Sequence, residues 1–152
     1  MSTEPLSETR RFFARIAAVG LTGALASSGS SAQGKSSATR NRVVLQMSDA
    51  DPSKWNLALN NLHNFQGELG IAEVDLELVA YGPGIGMLKG DSPVAKRIVE
   101  ALGAGIRFVA CENSMRGQNL AHGDMLPDIG YVPSGVVELM RKQQAGYAYL
   151  RL

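Results

Sequence analysis

The residue best placed to do chemistry in this chain is its single cysteine, Cys111. It ends the stretch IRFVAC at residues 106–111, where Ile106, Phe108, Val109 and Ala110 make the short apolar run of a buried strand. Glu112, Asn113 and Ser114 follow with residue types that open a helix, and Asn113 and Ser114 read first as caps. A thiol between a strand's carboxyl end and a helix's amino end faces unpaired backbone N–H groups and a positive dipole end. Both favour thiolate over thiol. Arg116, about one turn along, either stabilises a thiolate, persulfide or other anion or stands solvated. From position alone Cys111 is equally a small buried residue finishing an apolar strand, and exposure decides between the two.

Other candidate groups are dispersed. The run GPGIG at residues 82–86 follows a predicted strand but lacks the last glycine of GxGxxG. Pro83 also removes an N–H where a phosphate would need one, so a tight turn beside the site is the better account. His63 and His122 show neither HExxH nor Cys/His metal spacing. His122 and Asp124 share a loop and offer a general base if that loop lies near Cys111. No GxSxG or paired carboxylates emerge, which argues against a conventional hydrolase. The chemistry expected of Cys111 needs no metal and no cofactor.

The elements that must position Cys111 follow from periodicity. Residues 41–47, NRVVLQM, predict a strand, and Asp51 and Pro52 then supply an N-cap and first helical position. Trp55, Ala58, Leu59, Leu62, Phe65 and Leu69 recur at helical spacing up to Gly70. Val74, Leu76, Leu78 and Ala80 alternate with Asp75, Glu77 and Val79, which predicts a strand with one face more exposed or at a sheet edge. Ser92 and Pro93 open a helix to about 102, and a short helix is predicted from 114 to about 120. A brief strand at 129–132, a helix at about 135–144 and a strand at 147–152 complete the chain. Strand and helix alternate throughout. The fold class is therefore α/β, a single three-layer domain with a mostly parallel five-stranded sheet and helices on both faces. Asp49, Tyr81, Cys111 and Pro133 each follow a strand, so their turns gather along the carboxyl edge, where such sheets bind ligands near a topological switch point.

Residues 1–32 read as an address. Arg10 and Arg11 are followed by Phe12, Phe13 and Arg15, then by a modest apolar run at 16–26 and a small-residue stretch at 27–32. Ser30-Ser31-Ala32 fits a cleavage site between Ala32 and Gln33. The apolar run is shorter than the roughly 18–20 residues a spanning helix needs, which argues against a membrane anchor. The paired arginines resemble a twin-arginine export signal. A general secretory signal overlaps it in composition, and an ordinary basic amino terminus is the plain alternative. Residues 33–40 then form a leader into one domain at 41–152. Hydrophobic residues at 45% and charged residues at 19% suit a globular core. A net charge of +1, without a Lys/Arg cluster beyond residue 33, gives no reason to expect nucleic acid. A lone cysteine in an exported protein is buried and inert, paired with another molecule, or reactive.

From residue 41 to the end the chain resembles the DsrE/DsrF-like family, small α/β proteins of sulfur metabolism. The resemblance rests on VVLQMSDAD, AYGPGI, SPVAKRI, FVACENSMR and VPSGVVELMRKQQAGYAYL in that order. It implies a DsrE-like fold, homo-oligomers and sulfur donor and acceptor proteins as partners, and a persulfide carried on the cysteine at the position of Cys111. The expectation is a periplasmic sulfur-binding or sulfur-transfer protein, with Asn113, Arg116, Asp49 and Tyr81 lining the site. It departs from the relay members, which are cytoplasmic. Two alternatives stay open: a non-catalytic ligand-binding or assembly module with an inert cysteine, and a redox-sensing thiol.

Overall fold

The computed structural model describes residues 40–152. The predicted signal, with Arg10, Arg11, Ala32 and Gln33, and the leader up to Thr39 lie outside the described residues. Nine main elements follow one another: β1 (Asn41–Met47), α1 (Pro52–Leu69), β2 (Val74–Ala80), α2 (Ala95–Gly103), β3 (Arg107–Cys111), α3 (Glu112–Gly117), β4 (Gly130–Val132), α4 (Gly135–Gln144) and β5 (Ala148–Arg151). Short 3₁₀ turns occupy Ile71–Glu73, Gly82–Leu88 and His122–Asp124. The strands form one sheet in the order β4-β3-β2-β1-β5, and every pairing is parallel.

Local chemistry sets the longest helix. The Asp51 carboxylate accepts the Ser53 N–H at 2.8 Å, and Pro52 occupies the first turn, where its missing N–H costs nothing. At the other end Gly70 adopts φ +91°, and its N–H returns to the Gln66 carbonyl at 3.0 Å.

The two sheet faces are covered unequally, and the strand order is the reason. The crossovers from β1 through to β4 share one face. There Trp55, Leu59 and Leu62 of α1 and Ile98 of α2 pack on Leu45, Leu76, Leu78 and Phe108. The return from β4 to β5, on the far side of β1, crosses the other face. On that side, among the described residues, α4 covers a small core of Val44, Val79, Val109 and Leu139.

Three details depart from the sequence reading. β2 is the central strand rather than an edge or half-exposed one. Its charges are internal: Glu77 is 2% exposed, with Oε2 held by Arg107 Nε at 2.9 Å and by Lys142, while Asp75 pairs with Arg107 at 2.7 Å. Partners 30 and more residues away neutralise an alternation that looked solvent-facing. The helix expected from Ser92 and Pro93 begins at Ala95, because Ser92 and Pro93 lie in a preceding turn in which the Ala95 N–H reaches the Ser92 carbonyl at 3.0 Å. α3 starts at Glu112, two residues before the predicted Ser114, so Cys111 itself is its N-cap residue.

Candidate functional site

β3 and β4 are adjacent strands whose outgoing helices leave on opposite faces. Met115 of α3 joins the larger core, and Leu139 of α4 joins the smaller one. A carboxyl-edge crevice between such strands is where doubly wound sheets place ligands. Cys111 ends β3 there. Side chains alternate along a strand, so Cys111 shares the α4-facing side with Val109.

Hydrogen bonding from the Ser114 hydroxyl and from the backbone N–H groups of Gly135, Ser114 and Asn113 acts to lower the Cys111 thiol. Burial pushes the Cys111 thiol up, but these hydrogen bonds, led by Ser114, together outweigh it and hold the thiol below the ordinary range. Two of the N–H groups belong to the first turn of α3 and one to the first residue of α4, which packs beside Cys111. Ser114 is oriented in turn: its Oγ accepts the Gly82 N–H at 2.7 Å, which leaves its own proton for the sulfur. The Asn113 N–H also reaches the Pro133 carbonyl at 3.3 Å and ties α3 to the turn after β4.

Sequence reasoning missed Gly135 and took Ser114 only as a cap. Gly135 packs tightly: a Cβ there would lie 3.0 Å from Tyr81 Cβ and 3.3 Å from Cys111 Cβ, so these neighbours would have to give by a few tenths of an ångström. The signal was available in the motif VPSG: a strand running parallel beside β3, then a helix start. Cys111 pairs in register with Val132, three residues before Gly135.

The other candidates fall at different distances. Tyr81 follows β2 and packs beside Gly135, adjacent to Cys111. Asn113 uses its side-chain oxygen to hold Arg116, and both residues are exposed on α3. Arg116 is not among the groups that shift the Cys111 thiol, so its cation meets Asn113 rather than the sulfur. Asp49 follows β1, two strands or about 10 Å across the sheet. Its carboxylate pairs with Lys54 at 3.3 Å, and its carbonyl takes the Trp55 indole N–H at 2.7 Å. His122 stacks on Tyr131 of β4 at 3.9 Å, with Nε2 3.5 Å from Glu112, and Asp124 accepts the Ala121 N–H at 2.8 Å. The 82–86 turn owes Gly84 to packing: a Cβ there would stand 2.4 Å from the Met47 carbonyl oxygen. Among the described residues no three His, Cys, Asp or Glu side chains gather as metal ligands.

The scaffold has relatives. MTH1491 from Methanobacterium thermoautotrophicum, a protein of unknown function, is 35% identical, with a TM-score of 0.70 over 73% of this chain and 98% of that one. Two further structures share the fold: BT1422 from Bacteroides thetaiotaomicron, also of unknown function, and YchN from E. coli. BT1422 is 16% identical with a TM-score of 0.60 over 74% of this chain and 95% of its own, and YchN is 14% identical with a TM-score of 0.60 over 74% and 99%. No curated protein matches. The model of the DsrE/DsrF-like family matches residues 41–152, which takes in every strand and helix from β1 to β5, so this chain belongs to that family.

Proposed function

We propose that this protein is a sulfur carrier of the periplasm, holding sulfane sulfur as a persulfide on Cys111 and passing it to an acceptor thiol. The observation that carries the reading is the place of Cys111, at the end of β3 and the N-cap of α3, with the first residue of α4 packed beside it. Such a place stabilises the thiolate that must attack and the anionic sulfur that results. In the loading step the Cys111 thiolate attacks the terminal sulfur of a donor R–S–SH. The new S–S bond gives Cys111–S–SH, and the donor's S–S bond breaks to release R–S⁻. An acceptor thiolate then attacks the terminal sulfur, and Cys111 leaves as thiolate. Sulfur moves without net oxidation, which is consistent with a site that needs no cofactor. The export signal read at residues 1–32 supports the periplasmic setting. Exposed Val136 and Met140, one turn apart on α4, support self-association.

Intact-mass measurement after incubation with polysulfide tests the reading. The expected outcome is a gain of one sulfur atom, reversed by reductant and absent from Cys111→Ser. Loading that survives in Cys111→Ser would sink it.

One observation favours a second reading. Cys111 is only 4% exposed, as an inert thiol in a binding or assembly module would be. A native thiol closed to alkylation, with no sulfur gain, would establish that reading instead.

A further inference from the structure

Two alternate residues of β2, the residue just after it and one line of α4 meet in pairs. Tyr81 touches Gly135, Val79 shares the small core with Leu139, and Glu77 binds Lys142. On the helix these partners stand at i, i+4 and i+7, a single face. On the strand they are two residues apart, on one side of the sheet. About 10 Å of helix is thus laid along about 13 Å of strand, with its amino end at Cys111 and its carboxyl end over Glu77.

The three pairs differ in what they can fix. Leu139 is the one fully buried side chain of α4 beyond Gly135, and an apolar contact on Val44, Val79 and Val109 tolerates sliding. The Gly135 contact is backbone against side chain. Only Glu77 with Lys142 is directional. That pair is poorly built for stability alone: both cations crowd Oε2, while the buried Oε1 has no partner. Buried charge of this kind is best used to specify a register. Lys142 is further enclosed by Glu138 at 3.6 Å and by the Tyr147 ring, 5.0 Å from its ammonium.

From this geometry we infer that Glu77 and Lys142 are positioning residues for Cys111: their ion pair fixes the axial position of α4, and so holds the Gly135 backbone against Cys111. The inference deepens the sulfur-carrier reading but is measured on the thiol itself, with no sulfur donor present. Failure to load sulfur and failure of this coupling are therefore separate results.

The test is the pH titration of thiolate ultraviolet absorbance, with a Cys111→Ser protein subtracted. In Lys142→Met, which keeps the apolar stem, the midpoint is expected to rise by about one pH unit, roughly the weakening of one charge-assisted hydrogen bond. Lys142→Arg, which keeps the cation, is expected to return it toward the parent value. Ile98→Val, in the core of the opposite face, lowers stability without touching α4 and is expected to leave the midpoint in place. Glu77→Gln is carried in parallel, so that a Lys142→Met chain that does not fold leaves the test standing; its midpoint is expected to rise in the same sense. An unmoved midpoint in the folded variants, or an equal rise in Ile98→Val, overturns the inference.

Discussion

Ser114 Oγ accepts the Gly82 N–H at 2.7 Å, and that bond decides what the hydroxyl does with its own proton. With a lone pair committed to Gly82, the O–H is free to point at Cys111. A serine that looks like a helix cap is thereby the leading group that holds the Cys111 thiol down.

Ser114→Ala is expected to raise the Cys111 titration midpoint by about one to two units, since a hydrogen bond to a charged group is worth roughly 1.5–3 kcal/mol. It also leaves the Gly82 N–H without its acceptor, at a cost of about 1 kcal/mol in urea denaturation. A midpoint equal to the parent's would show that the backbone groups alone set the thiol.

The same shift makes stability depend on pH, with a definite sign. The folded pKa of Cys111 lies below the unfolded value, so between the two the unfolded chain binds a proton that the native protein lacks. The thiolate's contribution is complete above the unfolded value and is lost as pH falls through the folded one. The stability of the parent relative to Cys111→Ser should therefore grow as pH rises toward the ordinary thiol value and level off above it. Denaturation midpoints of the two proteins across that range measure it. A constant difference would contradict the shift.

Gly84→Ala is expected to cost about 2–3 kcal/mol, because its Cβ would meet backbone at 2.4 Å and the Gly82–Leu88 turn or the end of β1 must move. Chemical denaturation reads the loss. A change below about 0.5 kcal/mol, the size of a typical surface substitution, would mean that the turn yields freely.

How far the chain was legible depends on the range of the physics. β1, α1 and α4 were read with the bounds they have, because Asp51, Pro52 and the apolar spacing are signals within a few residues. The thiol's place at a strand end beside a helix start was also local, and it held. What failed to show was long-range. Glu77 and Asp75 looked like solvent-facing charges because Arg107, Lys142 and Tyr147, the groups that neutralise or bond them, sit 30 to 72 residues away. Gly135 escaped notice because its role depends on β4 pairing with β3, which no periodicity encodes.

The groups around Cys111 come from three separate stretches of chain: Gly82 through Ser114, the first turn of α3, and the start of α4. The turn of α3 is local to Cys111, but Gly82 and the start of α4 cannot come beside it until β2, β3 and β4 lie side by side. A chain still being made, threaded or partly folded carries an ordinary thiol, slow toward electrophiles at neutral pH. The activated cysteine is thus a late product of folding, and its reactivity reports that the sheet is complete.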